Sequence, residues 1–143
     1  MNAKEYLRQV KRLDDMIKNE EAARDEIREK LISTQAIQYD KEKVMSSGED
    51  NTINLYCALM ELAKEIDALI LDYFQTKHRI ISEIYMVRNV TYSELLYKRY
   101  IEYKRFEQIA CEMNYEYQTV RNMHGYALQE FQSFLNKVQK STL

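Results

Sequence analysis

Proline is absent from this chain, and glycine occurs at only two positions, Gly48 and Gly125. Both residues punctuate tight turns, so an all-β sandwich or any other turn-rich fold is excluded. Long, uninterrupted helices remain. The composition agrees: 31% of residues are charged and 45% apolar, a mixture that builds amphipathic helices rather than a disordered chain. At 143 residues the chain is expected to form one domain, or one small domain with an appendage. No apolar run approaches the roughly 20 residues that span a bilayer, so no membrane partner is expected. The start, Met1-Asn2-Ala3-Lys4-Glu5-Tyr6, lacks the apolar stretch of a secretory signal. Cys57 and Cys111 lie far apart without metal-type spacing. A cytoplasmic protein with reduced thiols is expected.

One break in the helical pattern is plain. Residues 45–52, Met-Ser-Ser-Gly-Glu-Asp-Asn-Thr, have the chemistry of a loop, with Asp50 or Asn51 placed to cap a second helix. Before it, Ala3, Tyr6, Val10, Leu13, Ile17, Ile27, Leu31 and Thr34 recur at spacings of three and four, a heptad seam interrupted at Glu20 and Arg24. After it, Leu55, Leu59, Leu62, Ile66, Leu69, Tyr73 and Ile80 form a second seam, widened by Tyr56, Met60, Ala63, Ile70, Phe74 and Ile81. The simplest arrangement is an antiparallel, coiled-coil-like hairpin over residues 1–87, turning at Gly48. The same seams would serve a homodimer through these helices.

Asn89 is expected to end the second helix, with Thr91 or Ser93 starting a third. Residues 88–143 are then a second, C-terminal domain. Charge divides in the same way. Residues 1–87 hold 13 basic and 17 acidic side chains, a balance of −4, while residues 88–143 hold 8 and 6, a balance of +2. The C-terminal part is the one expected to meet an anion, although so small a surplus does not by itself imply nucleic acid.

The informative segment is Phe106 to Met123. Two short helices that cross steeply need a small residue at the contact, which Ala110 supplies, and a turn residue at ease with positive φ, which Asn114 supplies. Apolar anchors occupy the inner positions: Phe106, Ile109 and Met113 on the first helix, Tyr115 in the turn, Val120 and Met123 on the second. This spacing is that of a helix-turn-helix. On the outer face Gln118, Arg121 and Asn122 carry the side chains that read base edges in the major groove of double-stranded DNA. Lys98, Arg99, Lys104 and Arg105 flank the motif as candidate phosphate contacts. Of the tyrosines crowded here, Tyr100 and Tyr115 are expected to fill a small core. Gly125 leaves room for close approach of another helix or of DNA. An ordinary helical corner with a solvated charged face is the bland alternative to each of these roles.

Residues 95–102 (Leu-Leu-Tyr-Lys-Arg-Tyr-Ile-Glu), Phe106 to Ala110, Met113 to Tyr115 and Val120 to Leu128 together resemble a family of small phage and prophage proteins of Gram-positive bacteria. The likeness is closest over residues 92–135. It implies a helix-turn-helix similar to the fourth conserved region of primary sigma factors, preceded by a helical N-terminal half, in a regulator of phage gene expression. Two positions depart from the pattern. Tyr103 stands where a glycine is common, and Glu116 stands where a serine commonly caps the recognition helix.

No catalytic arrangement is visible, and no enzyme, cofactor or metal is expected. Neither glycine lies in a phosphate-binding loop. The acidic pairs Asp14-Asp15, Glu20-Glu21 and Asp25-Glu26 read as a solvated helix face. The expected function is transcription regulation through DNA, with the N-terminal helices dimerising or engaging RNA polymerase or another host protein. The alternatives are a protein-interaction module, inhibiting or recruiting host machinery through a purely structural helix-turn-helix, and a DNA-packaging recognition subunit.

Overall fold

The computed structural model describes residues 1–40 and 47–141. Every element among them is helical: α1 (Ala3–Leu7), α2 (Gln9–Asp40), α3 (Ser47–Tyr85), α4 (Val90–Leu96), a π-helical turn (Tyr97–Ile101), α5 (Phe106–Met113) and α6 (Tyr117–Ser141). The all-α class agrees with the scarcity of turn residues. The expected loop at 45–52 fares differently. Residues 45 and 46 lie outside the described residues, but from Ser47 onward the backbone is helical. Asp50 and Asn51 therefore sit inside α3 and are not its cap. Polar and acidic residues that resemble a loop also suit the first turn of a helix, where the dipole favours negative charge.

Local chemistry explains the other boundaries. Asn2 caps α1 through a capping box: its Oδ1 accepts from the Glu5 N–H at 2.8 Å, and the Glu5 carboxylate accepts from the Asn2 N–H at 3.3 Å. Asn89 does not end α3, which stops at Tyr85. It caps α4 instead, accepting from the Thr91 and Tyr92 N–H groups at 3.0 and 3.3 Å. Ser93, one of the expected starts, is buried within α4 and donates to the Ile84 carbonyl at 3.2 Å.

The chain divides into two compact units, residues Met1–Leu13 with Tyr73–Leu143 and residues Asp14–Asp72. This is not the division expected at residue 87. The physical reason is a continuous core in the first unit. Ala3, Leu7 and Val10 from the N-terminal helices bury with Ile80, Ile84 and Val87 of the α3 end and with Leu96, Tyr100, Ile101, Ala127, Phe131 and Leu135. Polar contacts tie the same pieces together. The Ala3 N–H donates to the Gln132 side chain at 2.7 Å, and the Tyr6 hydroxyl donates to the Glu83 carboxylate at 2.6 Å.

In the second unit, Ile17, Leu31 and Ile66 of the two seams are buried, and Leu55, Leu59, Leu62 and Leu69 are outside that buried set. The Gln35 side chain donates to the Tyr56 hydroxyl at 2.9 Å, joining α2 to α3. Glu20 and Arg24, where the first seam breaks, are half-buried. Of the residues expected to widen the second seam, Tyr56 and Met60 are exposed, and so are Ile53 and Leu71 elsewhere on α3.

Candidate nucleic-acid interface

The candidate site is the corner between α5 and α6. Asn114 ends α5 at φ 59°, ψ 41°, the left-handed conformation its short polar side chain tolerates. The Tyr115 N–H reaches back to the Ala110 carbonyl at 3.0 Å, which closes the helix end. Two residues later α6 begins, and the Val120 N–H donates to the Glu116 carbonyl at 3.1 Å. Ile109, Ala110 and Val120 are buried together, with Phe106, Met113 and Met123 packed against them. Leu95 of α4 completes this cluster and is fully buried. A lone leucine ahead of the motif gives no spacing signal within it.

Tyr115 is the correction. It is 43% exposed, not an anchor of the core. The left-handed residue before it turns the chain outward, and its backbone, not its ring, makes the structural contact. Tyr100, the other tyrosine expected inside, is buried.

Gln118, Arg121 and Asn122 are all exposed on the first turns of α6. Gln118 donates to the Asn122 side-chain oxygen at 3.2 Å, and the Arg121 guanidinium lies over the Tyr117 ring at 5.7 Å. One small face thus carries amide, guanidinium and phenol groups, each able to bond to a base edge.

The flanking cations are arranged less simply. Lys104 Nζ sits 2.7 Å from the Glu112 carboxylate and 3.0 Å from that of Glu102. Lys98 Nζ sits 3.3 Å from Glu112. Hydrogen bonding to Glu112, then to Glu102, raises the Lys104 pKa, and the bond from Lys104 leads the effects that hold Glu112 below the usual carboxylate range. Both candidate phosphate contacts, Lys98 and Lys104, thus already have carboxylate partners. Their separation from Glu112 in sequence is not a helical spacing, so the pairing carries no local signal. Arg99 stacks on the Phe106 ring at 4.2 Å and donates to the Lys104 carbonyl at 3.0 Å. Arg105 is exposed at the start of α5.

Behind this face lies His124. Its Nε2 shares a hydrogen bond of 2.7 Å with the Tyr100 hydroxyl, its ring stacks on Tyr100, and the Phe106 ring meets it edge-on at 4.9 Å. Burial, then the charges of Arg99, Lys4 and Arg8, push its pKa down to about 4. Burial likewise raises the Tyr100 pKa. The imidazole is therefore neutral at physiological pH. Gly125 beside it has open space where a Cβ would stand, so no other described helix of this chain makes the close approach expected there. Tyr103, where the resembling family commonly has glycine, has φ 59°. The backbone takes the conformation a glycine would, and the tyrosine ring is retained by packing against the main core.

Among the described residues no group of three or more His, Cys, Asp or Glu side chains is placed to hold a metal ion, and no helix is long and apolar enough to cross a membrane. Fold and site define an all-α protein with a polar, partly cationic helical corner. Compared with known proteins, the chain matches no family model, no curated protein and no solved structure.

Proposed function

We propose that this chain is a non-enzymatic, cytoplasmic DNA-binding regulator that presents the first turns of α6 to the major groove. The supporting observation is the pairing of a tightly packed corner (Ile109, Ala110 and Val120 around a left-handed Asn114) with an outward face of Gln118, Arg121 and Asn122. A rigid corner fixes where those side chains project, and base readout depends on that. Exposed Arg105 and the stacked Arg99 are the backbone contacts in this reading. Lys98 and Lys104 contribute only by exchanging Glu112 for phosphate. The likeness of residues 92–135 to sigma-like phage regulators agrees with it, and the N-terminal helices would then serve dimerisation or contact with RNA polymerase. Selection of bound sequences from a random duplex pool, repeated at two salt concentrations, tests the reading. Enrichment of one motif supports it; no enrichment at either salt refutes it.

A second reading, a protein-interaction module, draws on the same ion pairs. Glu112 and Glu102 neutralise two of the corner's lysines, while Ile53, Met60 and Leu71 leave an apolar face open on α3. Failure of the duplex selection, together with capture of a defined host protein by the intact chain, favours that reading.

A further inference from the structure

A cleft of about 230 Å³ in the first unit is lined by Arg8, Lys11, Arg99, Tyr100 and Tyr103. Its lining contains three cationic side chains and no carboxylate. The pieces come from distant parts of the sequence. Arg8 marks the break between α1 and α2, Lys11 lies on the first turn of α2, Arg99 and Tyr100 come from the π-helical turn, and Tyr103 comes just after it at positive φ.

We propose that this cleft binds a phosphate group, with Arg8, Lys11 and Arg99 as its cationic donors. The first argument is uncompensated charge. Lys98 and Lys104 are held by Glu112 and Glu102, but among the described residues neither Arg8 nor Arg99 forms an ion pair. Those two guanidinium groups on one cleft repel one another, and an anion between them reverses the sign of the interaction. The second is preorganisation. The Arg99 guanidinium lies over the Phe106 ring at 4.2 Å and is anchored to the Lys104 carbonyl at 3.0 Å. One donor is used in this way, and a fixed planar fork remains for a tetrahedral oxyanion. The third is size and wall chemistry. The volume exceeds that of phosphate alone, and the Tyr103 ring, with Lys11 Nζ 5.7 Å above it, offers a surface for the esterified group. The field is felt nearby as well: after burial, Arg99, Lys4 and Arg8 are what depress the His124 pKa.

The ligand class is a phosphate ester. It is either a free monoester such as a nucleotide or a diester in a nucleic-acid backbone. The proposal does not rest on base reading by α6. The experiment titrates the full chain with a nucleoside monophosphate, and separately with a random-sequence duplex over a range of salt. Binding is followed by calorimetry, and the His124 imidazole by NMR. Arg8→Gln is the principal variant, because Arg8 is exposed and outside the core; Lys11→Gln is the second, and thermal melts check that both fold. The expected result is that Arg8→Gln weakens phosphate-ester binding by about tenfold, and that saturating ligand moves the His124 titration to higher pH. Binding of the monophosphate assigns a free ester. Loss confined to the duplex, equal on all sequences and with the salt slope lowered by about 0.9, assigns the backbone. If neither ligand binds, or if binding is unchanged by both Arg8→Gln and Lys11→Gln, the proposal is overturned. Monophosphate binding without any duplex motif would instead sink the DNA reading and leave this site standing.

Discussion

His124 gives the corner a pH signature that can be measured. Its pKa is pushed down to about 4 by burial, then by Arg99, Lys4 and Arg8, whereas the unfolded imidazole titrates near its ordinary value of about 6.5. Across that window the unfolded chain binds a proton that the folded chain refuses. Stability is therefore fully present above about pH 6.5 and is lost as the pH falls towards 4. The whole gap between the two values is worth about 3 kcal/mol. His124 is only half-buried and keeps part of its hydration, and salt screens the cationic share, so a loss of about 2 kcal/mol by pH 4.5 is the expected figure. Carboxylates of the unfolded chain also begin to take up protons towards the acid end of this range, so the comparison must be with a variant. His124→Gln keeps an amide within reach of the Tyr100 hydroxyl but cannot titrate. Urea denaturation followed by circular dichroism, at pH 7 and at pH 4.5, gives the two stabilities of each protein. The wild type should lose about 2 kcal/mol more than His124→Gln between those conditions. Parallel losses would show that the imidazole is not held neutral by its surroundings, and the burial and charge argument for the site would fail.

Ala110→Leu should destabilise the chain by about 1–3 kcal/mol in chemical denaturation, because Ile109, Val120 and Leu95 leave it no room; an unchanged midpoint would contradict that packing. Asn114→Ala should cost about 1 kcal/mol while Asn114→Gly is tolerated, since φ is 59° there; equal midpoints for the two variants would count against a left-handed Asn114. Glu112→Gln releases Lys98 and leaves Lys104 paired with Glu102 alone. Binding to any duplex should tighten and its salt dependence steepen by about one counterion, and an unaltered slope would mean Lys98 faces away from the phosphates. Arg121→Ala should weaken one preferred duplex by about 1–3 kcal/mol and random duplex much less; equal losses on both would make Arg121 a backbone contact.

Where the signals are local, the fold is legible in the sequence. Missing proline and rare glycine dictate helices, and the Phe106–Met113 helix, the left-handed Asn114 and the burial of Ile109, Ala110 and Val120 arise from spacings within one short segment. Asn89 is legible as a boundary but not as to which helix it serves, since its side chain suits an N-cap as readily as the end of a helix. Tyr115 misleads because an aromatic in a turn reads as an anchor until the left-handed residue before it is seen to send it outward. The boundary at residue 87 fails for a different reason. Ala3, Leu7 and Val10 continue a heptad seam that also runs into the second unit, and nothing local says that its first turns bury against Phe131 and Leu135 instead.

Electrostatics shows most clearly how folding redistributes what a linear count suggests. Residues 88–143 have a surplus of basic side chains, and that surplus points to an anion. In the folded first unit two of those lysines are neutralised by Glu112 and Glu102, while Arg8 and Lys11, counted with the acidic part of the chain, stand beside Arg99 in a cleft without acids. The positive potential around the corner is thus assembled partly from the N-terminal helices. The same docking of Ala3, Leu7 and Val10 that moves the domain boundary carries Arg8 and Lys11 into place. Packing and charge are therefore coupled: a substitution that loosens the apolar contact of α1 should also remove cations from the neighbourhood of Tyr100 and His124, without touching any residue of the α5–α6 corner.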